Sequence, residues 1–240
     1  MALPFFYIKN YEKAQKEIVL DEDSSKHIVQ VLRMKEGELL NLTDGKGNLI
    51  TCTIKEEDKK NCIVTVKDCI HKPQNITKVT IAISLLKNSN RFEWFLEKVT
   101  EIGACKIIPL ICKRTEKTKF RYNRMESICI SAMLQSQQVW LPLLQQPLKF
   151  ENLVTEKFNH WQKFIAHCAE GENQKKQLLA HSQLSKSAEQ LIVIGPEGDF
   201  TPEEIDLALT NEFIAVSLGE TRLRTETAGV AAATILVMGN

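Results

Sequence analysis

The apolar positions of the chain fall into two regimes. Up to about residue 72 they come in short runs, at 4–8 and 18–20 and then, with period-two character, at Leu39–Thr43, 49–55 and 62–69. Alternation over stretches this short predicts half-buried strands. Asp44-Gly45-Lys46-Gly47 lies between two of them and reads as a hairpin tip, where Lys46 is solubilising. A single helix interrupts the series: Ile28, Val31 and Leu32 share a face, Asp23 or Ser24 is the cap, and Gly37 stands past the end. Several short strands joined by tight turns predict a small barrel.

Beyond residue 73 the pattern changes to mostly apolar runs without strict alternation, at 79–86, 105–111, 164–168, 191–194 and 213–218. Runs of this kind are buried on both faces of a parallel sheet. Amphipathic helices separate them. Phe92, Phe95, Leu96, Val99 and Ile102 form one stripe, opened by Asn88 or Ser89 and stopped by Gly103. Met125, Ile128, Cys129, Ala132 and Met133 form another. Thr201, Pro202 and Glu204 make a capping box with proline at the first helical position. Thr225-Glu226-Thr227 opens a last helix, 228–238, apolar around much of its circumference. Lys72-Pro73-Gln74-Asn75 punctuates the two regimes, so the chain divides into a β-rich domain of residues 1–72 and an α/β domain of residues 73–240. Residues 149–191 carry the weakest pattern; 172–190 reads as a polar loop with a short helix.

Two glycine turns end two of the buried strands: Gly195-Pro196-Glu197-Gly198-Asp199-Phe200, and Leu218-Gly219. Open α/β sheets bind ligands at that edge. Glycine there lets backbone approach a ligand closely. The first turn lacks the Gly-Lys-Ser/Thr ending of a phosphate loop and carries Glu197, which suits a cationic or hydroxyl-bearing ligand. His167-Cys168-Ala169-Glu170-Gly171, at the end of the 164–168 strand, is placed to line the same pocket, although a histidine there is also an ordinary packed strand residue.

Charge modifies this only locally. The 240-residue chain carries a net charge of +1, so no global field draws in nucleic acid. Residues 113–124 hold six cations against Glu116 and sit just after a strand end. They read as a phosphate contact through Lys117, Lys119 and Arg121, or else as a solvated loop. The seven cysteines are odd in number and include no Cys-x-x-Cys, which favours buried reduced thiols over disulfides or zinc. The histidines form no metal-binding pair, so no metal is expected. No membrane-spanning run or signal-peptide pattern is evident, which makes a cytoplasmic location the expectation.

Ile194-Gly195-Pro196-Glu197-Gly198, Leu218-Gly219 and Leu223-Arg224-Thr225-Glu226-Thr227-Ala228 together resemble the C-terminal signature of the SPOUT-type methyltransferases. More narrowly they resemble the ribosomal RNA small subunit methyltransferase E family, which methylates N3 of a uridine in 16S ribosomal RNA. The resemblance spans nearly the whole chain and is strongest over 191–231. It implies an α/β fold with a SPOUT-type parallel sheet and C-terminal trefoil knot, preceded by a small PUA-like β-barrel domain. It implies S-adenosylmethionine as cofactor, held by Gly195, Pro196, Glu197, Gly198, Leu218, Gly219, Leu223, Thr227 and Ala228. It also implies a homodimer whose partner is ribosomal RNA or the assembled small ribosomal subunit. His27 to Arg33 resembles the family's His-x-x-x-Val-Leu-Arg helix, which implies RNA contact there; Arg33 alone also reads as a solvated helix-end cation. Lys87 and Arg91, like Glu93, Lys98, Glu101 and Gly103, stand where the family carries similar residues. Gln135 and Ser136 keep its pattern for the target base, but Leu134 and Gln138 replace an acid and an arginine. Asp199 stands where many relatives have glycine, so its backbone angle is expected to differ.

For that reaction the nucleophile needs help, because uridine N3 carries a proton. As the proton leaves, charge spreads onto two flanking carbonyl oxygens, and a fixed guanidinium stabilises it. Arg224 is the candidate, unless it only pairs with Glu226 or Glu197 to hold its loop. Glu197 and Glu226 are the candidate bases. The alternatives are a ribose 2′-O-methyltransferase of the same fold and a non-catalytic RNA-binding protein. A nicotinamide dehydrogenase lacks its Gly-x-Gly-x-x-Gly turn here.

Overall fold

The computed structural model describes residues 3–13, 15–158, 160–168, 176–182, 184 and 189–239. Two compact units result. The N-terminal residues through Gln74 cluster with Met133–Leu141, and Asn75–Ala132 clusters with the chain from Pro142 onward.

In the N-terminal unit β1 (Phe5–Tyr7), β2 (Glu17–Val19), β3 (Leu39–Thr43), β4 (Asn48–Glu56) and β5 (Ile63–His71) pair in the order β1-β3-β4-β5-β2, a curled half-barrel. Alternate residues, Leu40, Leu42, Ile50, Cys52 and Ile54, fill one face with Ile28. The helix differs from its sequence reading at both ends. Helix α1 (Glu22–Lys26) is capped by Asp21, whose Oδ1 accepts from Ser24 N at 2.8 Å. Asp23 and Ser24 therefore lie inside the first turn. The helix continues as a π-helical turn, His27–Val31, and stops where Arg33 takes the left-handed angle φ 55°, four residues before Gly37. The hairpin tip is not a free loop either. Gly47 N donates to Val139 O at 2.8 Å and Leu141 N to Gly45 O at 2.9 Å, while Trp140 Nε1 donates to Lys72 O at 3.0 Å. A Cβ on Gly47 would meet the Trp140 ring at 2.5 Å, so this turn has to be glycine.

The second unit contains β6 (Val79–Ser84), α2 (Ser89–Ile102), β7 (Lys106–Ile111), α3 (Tyr122–Gln135), β8 (Leu143–Leu144), β9 (Leu148–Lys149) and α4 (Phe150–Val154). It goes on with β10 (Gln162–Ala166), β11 (Gln177–Leu178), β12 (Gln190–Ile194), α5 (Pro202–Thr210), β13 (Ile214–Ser217) and α6 (Thr225–Met238). Every pairing of this sheet is parallel, in the order β11-β13-β10-β12-β6-β7-β8, with β9 also against β7. The central strands β6 and β12 are buried at every position, including the polar Thr80, Ser84 and Gln190. Asn88 caps α2, and Gly103 ends it at φ 99°. The capping box at Thr201 is complete. Two-residue strands β8, β9 and β11 and the short α4 are too brief to leave a periodic signal. Of the stretch read as a loop with a short helix, 172–175, 183 and 185–188 lie outside the described residues, as do Ala169, Glu170 and Gly171.

Small residues on α6 let it pack closely on α2 and β6. Gly229, Ala232 and Ala233 are buried, and a Cβ on Gly229 would stand 2.5 Å from the Phe95 ring and 2.9 Å from Ile83 Cδ1. The seven cysteines are free thiols; Cys168 alone is exposed. Among the described residues no helix is long and apolar enough to cross a membrane, and no acidic, histidine or cysteine cluster suits a metal ion.

Candidate active site

The first glycine turn is braced from several sides. Gly195 is buried, and a Cβ there would meet the Phe200 ring at 3.1 Å, so packing excludes a side chain. Asp199 keeps a glycine-like backbone angle, φ 63°, although its identity predicts a different one. Its side chain compensates for the strain: Oδ1 accepts from Phe200 N at 2.9 Å, and Oδ2 accepts from Cys168 N at 2.8 Å, tying the turn to the end of β10. Arg114 Nη1 donates to Gly198 O at 2.6 Å and Phe200 O at 3.3 Å. Lys87 N donates to Glu197 Oε1 at 3.2 Å, and Lys113 N donates to Glu204 Oε1 at 2.8 Å.

The basic stretch is therefore mixed in role. Lys113 and Arg114 brace the turn. Arg124 forks onto Glu93 at 2.6 and 2.8 Å and holds that carboxyl below its usual pKa. Lys117, Lys119 and Arg121 remain exposed, with no ion pair among the described residues. Lys87 is exposed and lies 2.7 Å from Glu116, which raises its pKa. His27, Arg33, Gln135 and Ser136 belong to the N-terminal unit. His27 stands edge-on to Phe6, and Ser136 Oγ donates to Met133 O at 3.2 Å.

A cavity of about 660 Å³ opens at the C-terminal ends of three adjacent strands, β12, β10 and β13, floored by Ile194, Ala166 and Val216. Gly195, Pro196 and Glu197 form one wall. Leu218, Gly219 and Leu223 form another, and Ala228 closes it from α6. Gly219 has φ 147°, and a Cβ there would point into open space. Gly198 and Thr227 do not line the cavity: the first turns its carbonyl to Arg114, the second is exposed on the first turn of α6.

Arg224 lines the cavity as the N-cap residue of α6, and among the described residues it has no ion pair, with Glu226, Glu197 or otherwise. Glu226 does not line the cavity. Its carboxylate is buried beside Arg91, Oε1 lying 3.6 Å from the Arg91 Nε, and among the described residues its Oε2 has no hydrogen-bond partner. Arg91, which the sequence places with the RNA contacts, is itself a cavity residue. So is His167, whose two ring nitrogens are buried and have no hydrogen-bond partner among the described residues. Burial, then the Lys176 ammonium, lowers its pKa against the opposing charge of Asp199, so the imidazole is neutral at pH 7.

Residues 72–237 match the family model described as an RNA methyltransferase domain, and residues 20–67 match that of an RNA methyltransferase PUA domain. The chain belongs to the RNA methyltransferase domain family. Within the family, proteins named ribosomal RNA small subunit methyltransferase E are similar to it over most of its length. The one from Rickettsia conorii is 27% identical over 228 residues, 94% of this chain and 91% of its own. That from Bacillus subtilis is 30% identical over 214 residues, 84% of this chain and 82% of its own. A crystal structure of a probable rRNA-methyltransferase from Porphyromonas gingivalis, 34% identical, superposes with a TM-score of 0.90 over 99% of this chain and 100% of its own. The methyltransferase E of Neisseria gonorrhoeae, solved bound to S-adenosyl methionine, is 26% identical with a TM-score of 0.85, covering 97% and 95%. The parallel sheet is thus of the SPOUT methyltransferase kind, and the N-terminal unit is PUA-like.

Arg114 is the residue the sequence left without a role at the site, being one cation among six; His167 lines the cavity, as its place at the end of the 164–168 strand implied.

Proposed function

We propose that this chain is an S-adenosylmethionine-dependent methyltransferase acting on N3 of a specific uridine in the 16S ribosomal RNA of the small subunit. The observation that carries the reading is the cavity at the strand ends, lined by Arg224, which has no ion pair among the described residues, and bounded by two glycine turns, in a chain of this family. The space fits the cofactor: Gly219 has nothing within 4 Å of a Cβ position, leaving room for a flat ring against the backbone. Backbone groups of Gly195, Leu218, Gly219 and Leu223 would hold the adenosine, with Pro196 and Ala228 against its faces. Glu197 suits a ribose hydroxyl or a sulfonium. Gly198 and Thr227 support these elements from behind. When bound, the cofactor supplies an activated sulfonium methyl group.

The chain's own residues do the rest. The target base leaves its stack to reach the cavity. Its N3 proton must go, and Arg224 then faces the carbonyl oxygens that take up the charge. Of the two candidate bases, Glu197 lines the cavity and Glu226 does not. Lys117, Lys119 and Arg121 grip RNA phosphates, as do Lys87 and, from the domain of residues 1–72, His27 and Arg33. Gln135 and Ser136 act on the target strand. The SPOUT domain of residues 73–240 carries the chemistry, with the knotted C-terminal path its resemblance implies. The enzyme works in the cytoplasm, where ribosomal RNA is assembled.

The reading has a direct assay: with labelled methyl donor, small-subunit RNA or assembled small subunits take up one label per molecule, and large-subunit RNA takes up none. Incorporation into neither would overturn it.

Three further outcomes are expected. Gly219→Val fills the open space and strains φ 147°; calorimetry then shows S-adenosylmethionine affinity reduced at least about tenfold with the fold intact, equivalent to about 1.4 kcal/mol. Unchanged affinity removes Gly219 from the site. Replacing Lys117, Lys119 and Arg121 with Ala reduces RNA affinity and lowers the salt slope by roughly 2–3, with cofactor affinity unchanged. An unaltered slope makes the stretch a solvated loop. Light scattering at micromolar concentration reports a dimer, since α6 is apolar beyond what its own unit covers at Met238, 66% exposed. An active monomer contradicts it.

A further inference from the structure

Helices α2 and α6 approach each other where Gly229 takes the Phe95 ring into the space a side chain would fill. One turn toward the N-terminus of each helix, Arg91 meets Glu226. The spacing is no accident of sequence: Arg91 and Phe95 are four residues apart on one face, Glu226 and Gly229 three apart on another. Both N-termini therefore point the same way, toward the cavity that Arg91 lines. Partial positive charge from two helix ends favours a carboxylate here and disfavours a guanidinium. Arg91 stays because Glu226 is beside it.

The pair is asymmetric. Glu226 is 8% exposed and Arg91 is 40% exposed, so the carboxylate is the fixed member and the guanidinium the one presented to the cavity. Their contact is 3.6 Å, an ion pair longer than a hydrogen bond. The second oxygen, Oε2, is buried and has no hydrogen-bond partner among the described residues. A buried carboxylate with a vacant acceptor costs stability unless something uses it. A guanidinium fork offers two parallel donors, and Oε2 is the acceptor its second arm needs. The arrangement is thus loose without a ligand and able to tighten when an anion draws the outer face of Arg91 into the cavity.

Resting on the proposed reaction, we infer that Glu226 is neither the general base nor a cofactor contact but a positioning residue, which holds Arg91 as a second guanidinium against the anion of the target base. The base anion spreads its charge over two carbonyl oxygens on opposite sides of N3. One guanidinium at Arg224, the N-cap of α6, and a second at Arg91, on the first turn of α2, flank the cavity and suit two such oxygens. The atoms balance: the N3 proton would pass to a base, for which Glu197 is the candidate in the cavity; the N3–CH3 bond would form as the donor's S–CH3 bond breaks, its electron pair staying on sulfur as the neutral thioether leaves; and neither arginine gains or loses a proton.

The test uses full-length protein, S-adenosylmethionine and small-subunit RNA, with single-turnover methyl transfer at saturating concentrations of both. Arg91→Met slows that step on the order of a hundredfold. Glu226→Gln slows it comparably, and the double variant is no slower than Arg91→Met, because the two act as one unit. S-adenosylmethionine affinity stays within about twofold in each. The Arg91→Met defect also shrinks as pH rises toward the pKa of the base's own N3–H, since a base already ionised in solution needs less help; a merely structural loss would not track pH. Arg91 is partly exposed, so its variant folds even if Glu226→Gln does not. Defects that multiply in the double variant, or a saturating rate untouched by Arg91→Met, overturn the inference. Lost cofactor affinity at an intact saturating rate overturns it too, by assigning Arg91 to the cofactor's carboxylate. If the unaltered protein transfers no methyl group to RNA, the reaction itself is wrong, and that failure is distinct from either of these.

Discussion

Arg224→Ala slows single-turnover methyl transfer by on the order of a hundredfold to a thousandfold, while S-adenosylmethionine affinity and the thermal midpoint hold. The reason lies in where the residue stands. Arg224 is the N-cap of α6, so its backbone direction is set by the helix start, where its carbonyl accepts from Ala228 N at 2.8 Å. Its side chain contributes no capping hydrogen bond and, among the described residues, no ion pair. Removing it therefore costs the fold little. In the transition state it meets a charge that is absent in the ground state, and only such differential interactions accelerate the step. Arg224→Lys recovers little of the rate, because an ammonium is a point charge and cannot fork across acceptors. A small rate effect coupled to lost cofactor affinity would make Arg224 a loop residue instead.

Gly229→Ala destabilises the protein by roughly 1–3 kcal/mol, seen as a lower denaturant midpoint with an unchanged slope. Two effects oppose each other here. Alanine is the better helix former by about 1 kcal/mol, so a solvent-facing glycine in a helix gains stability from this change. At Gly229 the new methyl would sit 2.5 Å and 2.8 Å from two ring carbons of Phe95 and 2.9 Å from Ile83. Both neighbours are fully buried and have nowhere to go, so overpacking wins. The sign of the change decides between the two. The variant also loses methyl transfer beyond its stability loss, because the same contact sets the Arg91–Glu226 approach.

What the sequence conveyed, and what it did not, follows from range. Thr201, Pro202 and Glu204 act within four residues of one another, as do Asn88 with Asn90 and Gly103 with Val99, so both helix starts and the α2 stop were legible. Strands β6 and β12 were legible because burial on both faces leaves them mostly apolar and free of charged residues. The glycine turns were legible through their positions after those strands and their resemblance to a family signature. By contrast, Val139 O accepts from Thr43 Oγ1, 96 residues away in sequence, and from Gly47 N, and no local rule ties Met133–Leu141 to the N-terminal unit. The cap at Asp21 was missed because three candidate caps stand within four residues, and only geometry chooses among them. At the site the limits are sharper. Arg114 has the composition of a phosphate contact and the contacts of a brace. Glu226 has the position of a base and the neighbour of a positioning residue. In each case the residue type was right for two roles, and long-range packing selected one.

The measurement that bears most directly on the central claim is the identity of the methylated nucleoside. Small ribosomal subunits and their free RNA, lacking the modification, are incubated with the protein and labelled S-adenosylmethionine, digested to nucleosides and separated. The predicted product is 3-methyluridine, confined to one position of the RNA. A ribose-methylated or dimethylated nucleoside, or label spread over many positions, would contradict it.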